Sequence, residues 1–301
     1  MALNTAAYQQ VWDTKLAQRL DKPTNWKDTC KVLYTDTQVT NLPYIGTSGE
    51  PALATLSASA AGRDLTAVVT FKAITMATDT LSVVTTEFVS EYMDYADQAQ
   101  SKYVKYADMG ALLGKKVDER VEALVMANHG AWTNFGDTGG AVLGLADTAF
   151  TVDANNVDDV IKGIIEQIQT ANGFDLYKQN GGFIVWRPAD WTKLVTFMQA
   201  NGFTFADEAL RDGGRGRIGK ETQGLYHYIS TQHTANHLMA GVRGVQVLGL
   251  MAATFGKTYI TETPPSTTAG MLSGTGIHTR IDYGFTVQTN VLPVIFDVRV
   301  N

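Results

Sequence analysis

AQSKYVKYADMGALLGKKVDERVEALVMAN, residues 99–128, is the stretch on which the reading of this chain turns. Its apolar residues Tyr106, Met109, Leu113, Val117, Val121 and Leu124 follow one another at steps of three or four, which is one face of an α-helix. At about 1.5 Å per residue the stretch makes a rod of roughly 45 Å, well above the usual helix of about 11–12 residues. Asn128 and Gly130 supply the stop. Lys115 and Glu119, four apart on the polar side, can pair. Gly110 and Gly114 each cost about 1 kcal/mol relative to Ala inside a helix, and the expected return is close approach by another segment. A long helix with one apolar face needs a sheet or a neighbouring subunit laid against it.

Composition sets outer bounds. A chain of 301 residues is one large domain or two smaller ones, with room for a substantial core. Charged residues make up 18% and hydrophobics 45%, which fits either a surface rich in protein contacts or a well-buried enzyme domain. The net charge of −6 argues against a sequence-independent grip on nucleic acid. Cys30 is the only cysteine, so no disulfide framework and no thiolate metal site is expected. MALNTAAYQQVWDTK has neither a basic start nor an apolar core, so no signal peptide is expected. The longest nearly apolar run, Val245 to Phe255, is too short to span a bilayer.

Taken in order, residues 1–34 carry no sustained period. Leu16 and Leu20 suit a short helix before Pro23, and the segment reads equally as an arm reaching another subunit or as a frayed terminus. Asn41 to Gly62 is rich in Gly, Ala, Ser, Thr and Pro, the residues of turns. Leu65 to Lys72 then alternates with the period of a strand, and a second extended run covers Leu81 to Thr86. A strand leaving such a long small-residue loop suits a projecting β-arm, with a loose surface loop as the competing reading. A short helix is expected from Ser90 to Gln98, and the glycine-rich 136–144 looks like the exit from a first unit. In the second unit, Val157, Ile161, Ile164 and Ile168 define a helix capped by Asn155 or Asn156, with Asp158 and Asp159 in its first turn. Phe183 to Trp186 reads as a strand buried on both faces. Asp190 to Ala200 reads as a helix with Trp191, Leu194, Val195 and Met198 inward. Both helices end on Ala-Asn-Gly-Phe. Leu225 to Ser230 is a strand, and Val245 to Leu250 a strand or helix end. Ile277 to Gln288 and Val294 to Val300 are strands expected to pack back on the long helix. Helices and strands without a strict βαβ rhythm give an α+β fold.

Candidate chemistry is thin. Gly214, Gly219 and Lys220 satisfy G-x-x-x-x-G-K, but Glu221 stands where a Ser or Thr would hold Mg²⁺. Gly214, Gly216 and Gly219 also satisfy G-x-G-x-x-G. Both motifs need a strand before and a helix after, and here an acidic segment precedes and a strand follows. A glycine-arginine loop is the favoured reading. His233 and His237 have the spacing of H-E-x-x-H without its glutamate and without an evident third ligand, so a helix end or loop is favoured. Cys30 has no nearby His, and no carboxylate pair implies acid–base work. No cofactor is expected, and the chain does not read as an enzyme.

The layout resembles the major capsid protein of tailed double-stranded-DNA bacteriophages, the Hong Kong 97-type capsid fold. The resemblance is carried by Val68-Val69-Thr70-Phe71-Lys72, Lys116-Val117-Asp118-Glu119-Arg120-Val121, His237-Leu238-Met239-Ala240-Gly241 and Asp282-Tyr283-Gly284-Phe285-Thr286-Val287. It implies an N-terminal arm at 1–34, an extended loop at 40–80 and a peripheral domain at 86–148 and 243–292 with its spine helix at about 99–128. It implies an axial domain at 149–242 and 293–301. It also implies hexameric and pentameric capsomers in an icosahedral virion head, made in the host bacterial cytoplasm. Expected partners are copies of the chain, a portal, a separate or removed scaffold and decoration proteins. Double-stranded DNA would be held inside without sequence-specific binding, and no membrane is involved. Assembly residues expected on this basis are Pro43, Tyr44, Gly49, Pro51 and Gly62 in the extended loop, Gly110 and Gly114 in the spine helix, and Arg215, Arg217 and Lys220 in an axial loop. Two rivals remain: an encapsulin, a cargo shell of the same fold, and more remotely a nucleotide-binding enzyme using Gly214 to Lys220.

Overall fold

Two β-sheets share one apolar core in the computed structural model, which describes residues 22–45, 58–59, 62–63, 76–94, 106–129, 132–135, 152–200, 217–222, 224–263 and 274–300. The first sheet has five strands. β1 (Lys31–Thr35) runs parallel to β12 (Gln246–Met251). β12 pairs antiparallel with the end of β14 (Gly274–Val287), which also carries β13 (Thr258–Thr263) and β6 (Thr85–Asp94). The second sheet has six strands, in the order β7 (Thr133–Phe135), β15 (Ile295–Arg299), β11 (His237–Val242), β8 (Gly182–Trp186), β10 (Leu225–Ile229) and β9 (Arg217–Thr222). Every residue of β8 is buried, as its unbroken apolar run requires. β8 and β10 are parallel, so the connection between them crosses over.

The long helix, α2 (Tyr106–Ala127), packs on the first sheet, chiefly on β14. Leu113, Val117, Val121 and Val125, one turn apart, are buried together with Ile277 and Ile281 of β14. From Leu113 onward the expected face holds, except that Val125 and Met126 also go inward and Leu124 is half-buried; the side chains of Tyr106 and Met109 lie outside the described residues. Glu119 pairs with Lys116 at 3.1 Å. Residues 99–105 lie outside the described residues.

Around the second sheet lie α3 (Val157–Thr170), α4 (Phe174–Asn180) and α5 (Pro188–Ala200). α3 buries Val157, Val160, Ile161, Ile164 and Ile168, the expected stripe with one addition. Asn156 is its N-cap by position, yet the Asn156 side chain accepts the Asp153 N–H at 2.7 Å instead of a helix amide. At the other end Asn172 takes a positive φ of 57°, and the Gly173 N–H reaches Ile168 O at 2.8 Å, closing the helix as its stop signal implied. α5 buries Leu194, Val195 and Met198, with Trp191 half-buried.

Two expectations are corrected. The helix expected at 90–98 is strand as far as Asp94, because residues 85–94 pair in unbroken register with β14, and ladder pairing outweighs local helix preference. The run Leu81 to Thr86 breaks at Val83–Val84 between β5 (Met76–Ser82) and β6. Residues 22–34 fall within the arm expected at 1–34. There α1 (Trp26–Thr29) plugs the core, with Trp26 edge-on to Phe255 at 6.2 Å between centroids, and β1 belongs to the first sheet. Residues 1–21, the strand expected at 65–72 and the second Asn-Gly stop lie outside the described residues.

Candidate functional site

A strand pair with no third strand has few ways to bury its faces. β2 (Val39–Ile45) and β5 pair antiparallel along seven residues as a ribbon separate from both sheets. Farther along the same excursion, β3 (Ala58–Ser59) pairs with β4 (Gly62–Arg63). Alternation splits the ribbon: Thr40, Leu42, Tyr44, Ala77, Asp79 and Leu81 turn to the half-buried side, while Val39, Pro43, Ile45 and Met76 are exposed. Pro43 has no N–H to donate, which suits a position facing away from the partner strand and blunts the ribbon's edge.

The root of the ribbon is fixed in the body. Leu81 and Val83 are buried with Val247 against Leu33, Leu42 and Met251. They cross the first sheet where Gly249 of β12 sits opposite Gly284 of β14. A Cβ on Gly249 would come within 2.7 Å of both Leu81 Cδ2 and Val83 Cγ2, and one on Gly284 would strike the Ser82 carbonyl. Beyond the root, Asp79 accepts the Thr289 N–H at 2.7 Å and its hydroxyl at 3.2 Å, and Gln288 donates to Leu42 O at 3.5 Å.

A second apolar surface lies on β6 and β13. Phe88, Val84 and Ile260 are exposed, and an open groove of about 450 Å³ is lined by Thr86, Phe88, Ser90, His278 and Arg280. Charged groups tie β6, β14 and α2 together. Arg120 grips Glu87 with two donors at 2.6 and 2.7 Å, and that contact holds the Glu87 carboxyl below its ordinary value. Burial pushes Asp282 up, but hydrogen bonds from Thr86, Arg280 and Thr254 more than offset it, leaving it lowered. Glu122, buried on α2, accepts the Asn25 N–H at 2.8 Å; burial raises its pKa. Burial likewise pushes the Cys30 thiol up to about 12, and its Sγ lies 3.3 Å from Gln246 Oε1.

Of the expected assembly residues, Pro43 and Tyr44 stand on β2, and Gly62 stands opposite Ser59 in the small pair. Gly49, Pro51 and Arg215 lie outside the described residues. Arg217 and Lys220 are on strand β9, not in a loop, because residues 217–222 pair with β10. The same pairing removes the helix that either glycine motif requires after its turn. Gly110 is within α2, and a Cβ on Gly114 would meet nothing within 4 Å among the described residues. Within the described residues a close crossing occurs at Gly249 and Gly284. Their signal was a lone glycine inside each of two apolar strands. His233 and His237 also part company. His233 is in the loop before β11 with its Nε2 unpartnered among the described residues, and burial, then Arg187, lowers its pKa to about 4. His237, on β11, turns to Asp297 at 2.7 Å.

No protein-family model matches this chain, and no curated protein matches it. Solved structures do. A chain from Mycobacterium phage Che8 matches 99% of this chain and 98% of its own, with a TM-score of 0.67 and 13% identity. A chain of the capsid of the cyanophage P-SCSP1u matches 98% and 93%, with a TM-score of 0.60 and 13% identity. This chain has the Hong Kong 97-type capsid fold. A chain of a virus-like particle from Pyrococcus furiosus also matches, over 92% of this chain and 93% of that one, with a TM-score of 0.54 and 10% identity. At such identity the likeness lives in the arrangement of elements and not in shared side chains.

Proposed function

We propose that this chain is the major capsid protein of a tailed double-stranded-DNA bacteriophage. The observation that carries this reading is that the likeness to capsid chains runs nearly end to end. The local physics agrees with it: the ribbon and the surface around Phe88 leave apolar area that a second copy can cover. On this reading the ribbon belongs to the extended loop of residues 40–80. The first sheet and α2 belong to the peripheral domain, and the second sheet with β15 to the axial domain. Copies assemble as hexamers and pentamers into the icosahedral head, with a portal, a scaffold and decoration proteins as partners. The role is structural and not enzymatic, in a virion whose subunits are made in the host cytoplasm. The net charge of −6 suits an inner wall that contains DNA without gripping it.

A cargo shell of the encapsulin type is the second reading, kept because a virus-like particle is among the structures this chain resembles. Electron microscopy of the purified chain, alone and with its gene neighbours, tests both. Closed shells or capsomers are expected. Shells that incorporate a neighbouring portal would mark the phage head, and shells filled with a neighbouring enzyme the cargo shell. Monomers under every assembly condition would count against both.

A further inference from the structure

Three separate elements converge on one carboxylate. Asp297, on β15, is 1% exposed. His237 comes from the neighbouring strand β11, and its Nδ1 lies 2.7 Å from Asp297 Oδ1. His129 follows the end of α2, and its Nδ1 lies 3.4 Å from Asp297 Oδ2. The two imidazoles stack with centroids 4.2 Å apart and planes 26° from parallel. One ligand atom from each of the three residues falls within 4.8 Å of the others. Both histidines are partly open to solvent, so an ion has a way in.

We propose that His129, His237 and Asp297 form a site for a divalent transition metal, with zinc the ion best matched to it. Two imidazole nitrogens and a carboxylate oxygen are donors that zinc takes at about 2.0–2.2 Å. A tetrahedral ion at those lengths spaces its ligands roughly 3.4 Å apart. His237 and Asp297 must open to reach that spacing, and the stacked imidazoles must turn so that both Nδ1 lone pairs point at the ion. The ion takes one lone pair from each of the three groups, and water from the open side takes the fourth place.

His129 is oriented for the role. Its Nε2 lies 3.3 Å from Thr234 Oγ1. With Thr234 accepting the Nε2 proton, Nδ1 keeps the lone pair that faces Asp297, the arrangement by which outer partners fix a ligating imidazole. A plain hydrogen-bonded pair needs only one imidazole on the carboxylate; here two aim at it. The opposing group is Arg299, whose Nε is 3.4 Å from Asp297 Oδ2. Its side chain is 37% exposed, so it can swing to water when an ion enters. A bound ion would clasp the end of α2, which otherwise packs on the first sheet, to β11 and β15 of the second.

The test is to strip the purified chain with EDTA, titrate zinc sulfate by isothermal titration calorimetry and follow thermal unfolding alongside. One zinc per chain and a rise in Tm are expected, and both should be lost in His129→Gln and Asp297→Asn. Asp297 is buried, so its variant can unfold for reasons of its own. The partly exposed His129→Gln, checked as folded by circular dichroism, decides the matter. No uptake by the stripped wild type, or uptake unchanged in His129→Gln, overturns the site.

Discussion

Glu122 sits on α2 beside Val121, where a helix that looked polar on this side has folded a carboxyl into the core. Its hydrogen bonds from Asn25, Ser230 and Trp26 only partly offset the burial that raises its pKa. A carboxyl whose folded pKa lies above its unfolded value contributes stability below that unfolded value, near 4.3, and loses it as pH rises through the folded one. Glu122→Gln should therefore gain on the wild type as pH is raised from about 4 to 7, read as the difference in Tm. A difference that stays flat would show that ionisation there carries no penalty. Glu122→Ala orphans the Asn25 donors and should cost about 1–3 kcal/mol in urea unfolding. Gly284 is constrained by contact and not by charge. Gly284→Ala places a methyl against Ser82 and should cost about 1–3 kcal/mol by overpacking. Wild-type stability in that variant would mean the ribbon's root is not pinned there.

The ribbon's extended excursion was legible in the sequence, but its strands were misplaced: β2 (39–45) enters the stretch read as a turn-rich loop, β5 lies at 76–82, and the strand expected at 65–72 lies outside the described residues. Its root was not legible, because Leu81 and Val83 find Gly249 and Gly284 only after the chain has come back more than a hundred residues later. Replacing residues 45–76 with Asn-Gly joins Tyr44 to its register partner Ala77 through a two-residue hairpin turn. Since the buried root is untouched, the shortened chain should melt within a few degrees of wild type, yet fail to form closed shells in the microscope. Normal shells would remove the ribbon from assembly. β6 shows the opposite case. Its helix-like reading gave way because ten residues of partner on β14 supply a ladder that the local sequence does not announce.

At the scale of the whole molecule, α2 is a rod with one side filled by β14 and another side that, among the described residues, is open at Gly114. Gly114→Leu replaces a poor helix former where there is space, so the isolated subunit should be more stable by about 0.5–1 kcal/mol. If a neighbouring copy crosses the helix there, the same change should impair shell formation. Gain of stability together with normal shells would show that the glycine marks no crossing.

The sequence by itself determined the long helix, the buried strand β8, the stripe of α3 and the α+β class. These follow from periodicity and end signals spanning only a few residues. Only the tertiary structure decided which strands share a sheet, that Trp26 belongs to the core, that β9 is a strand, and that His237 meets His129 and Asp297 instead of His233. Each of those depends on pairing between residues far apart in the chain. Such contacts form only when the whole core closes, so no local pattern records them.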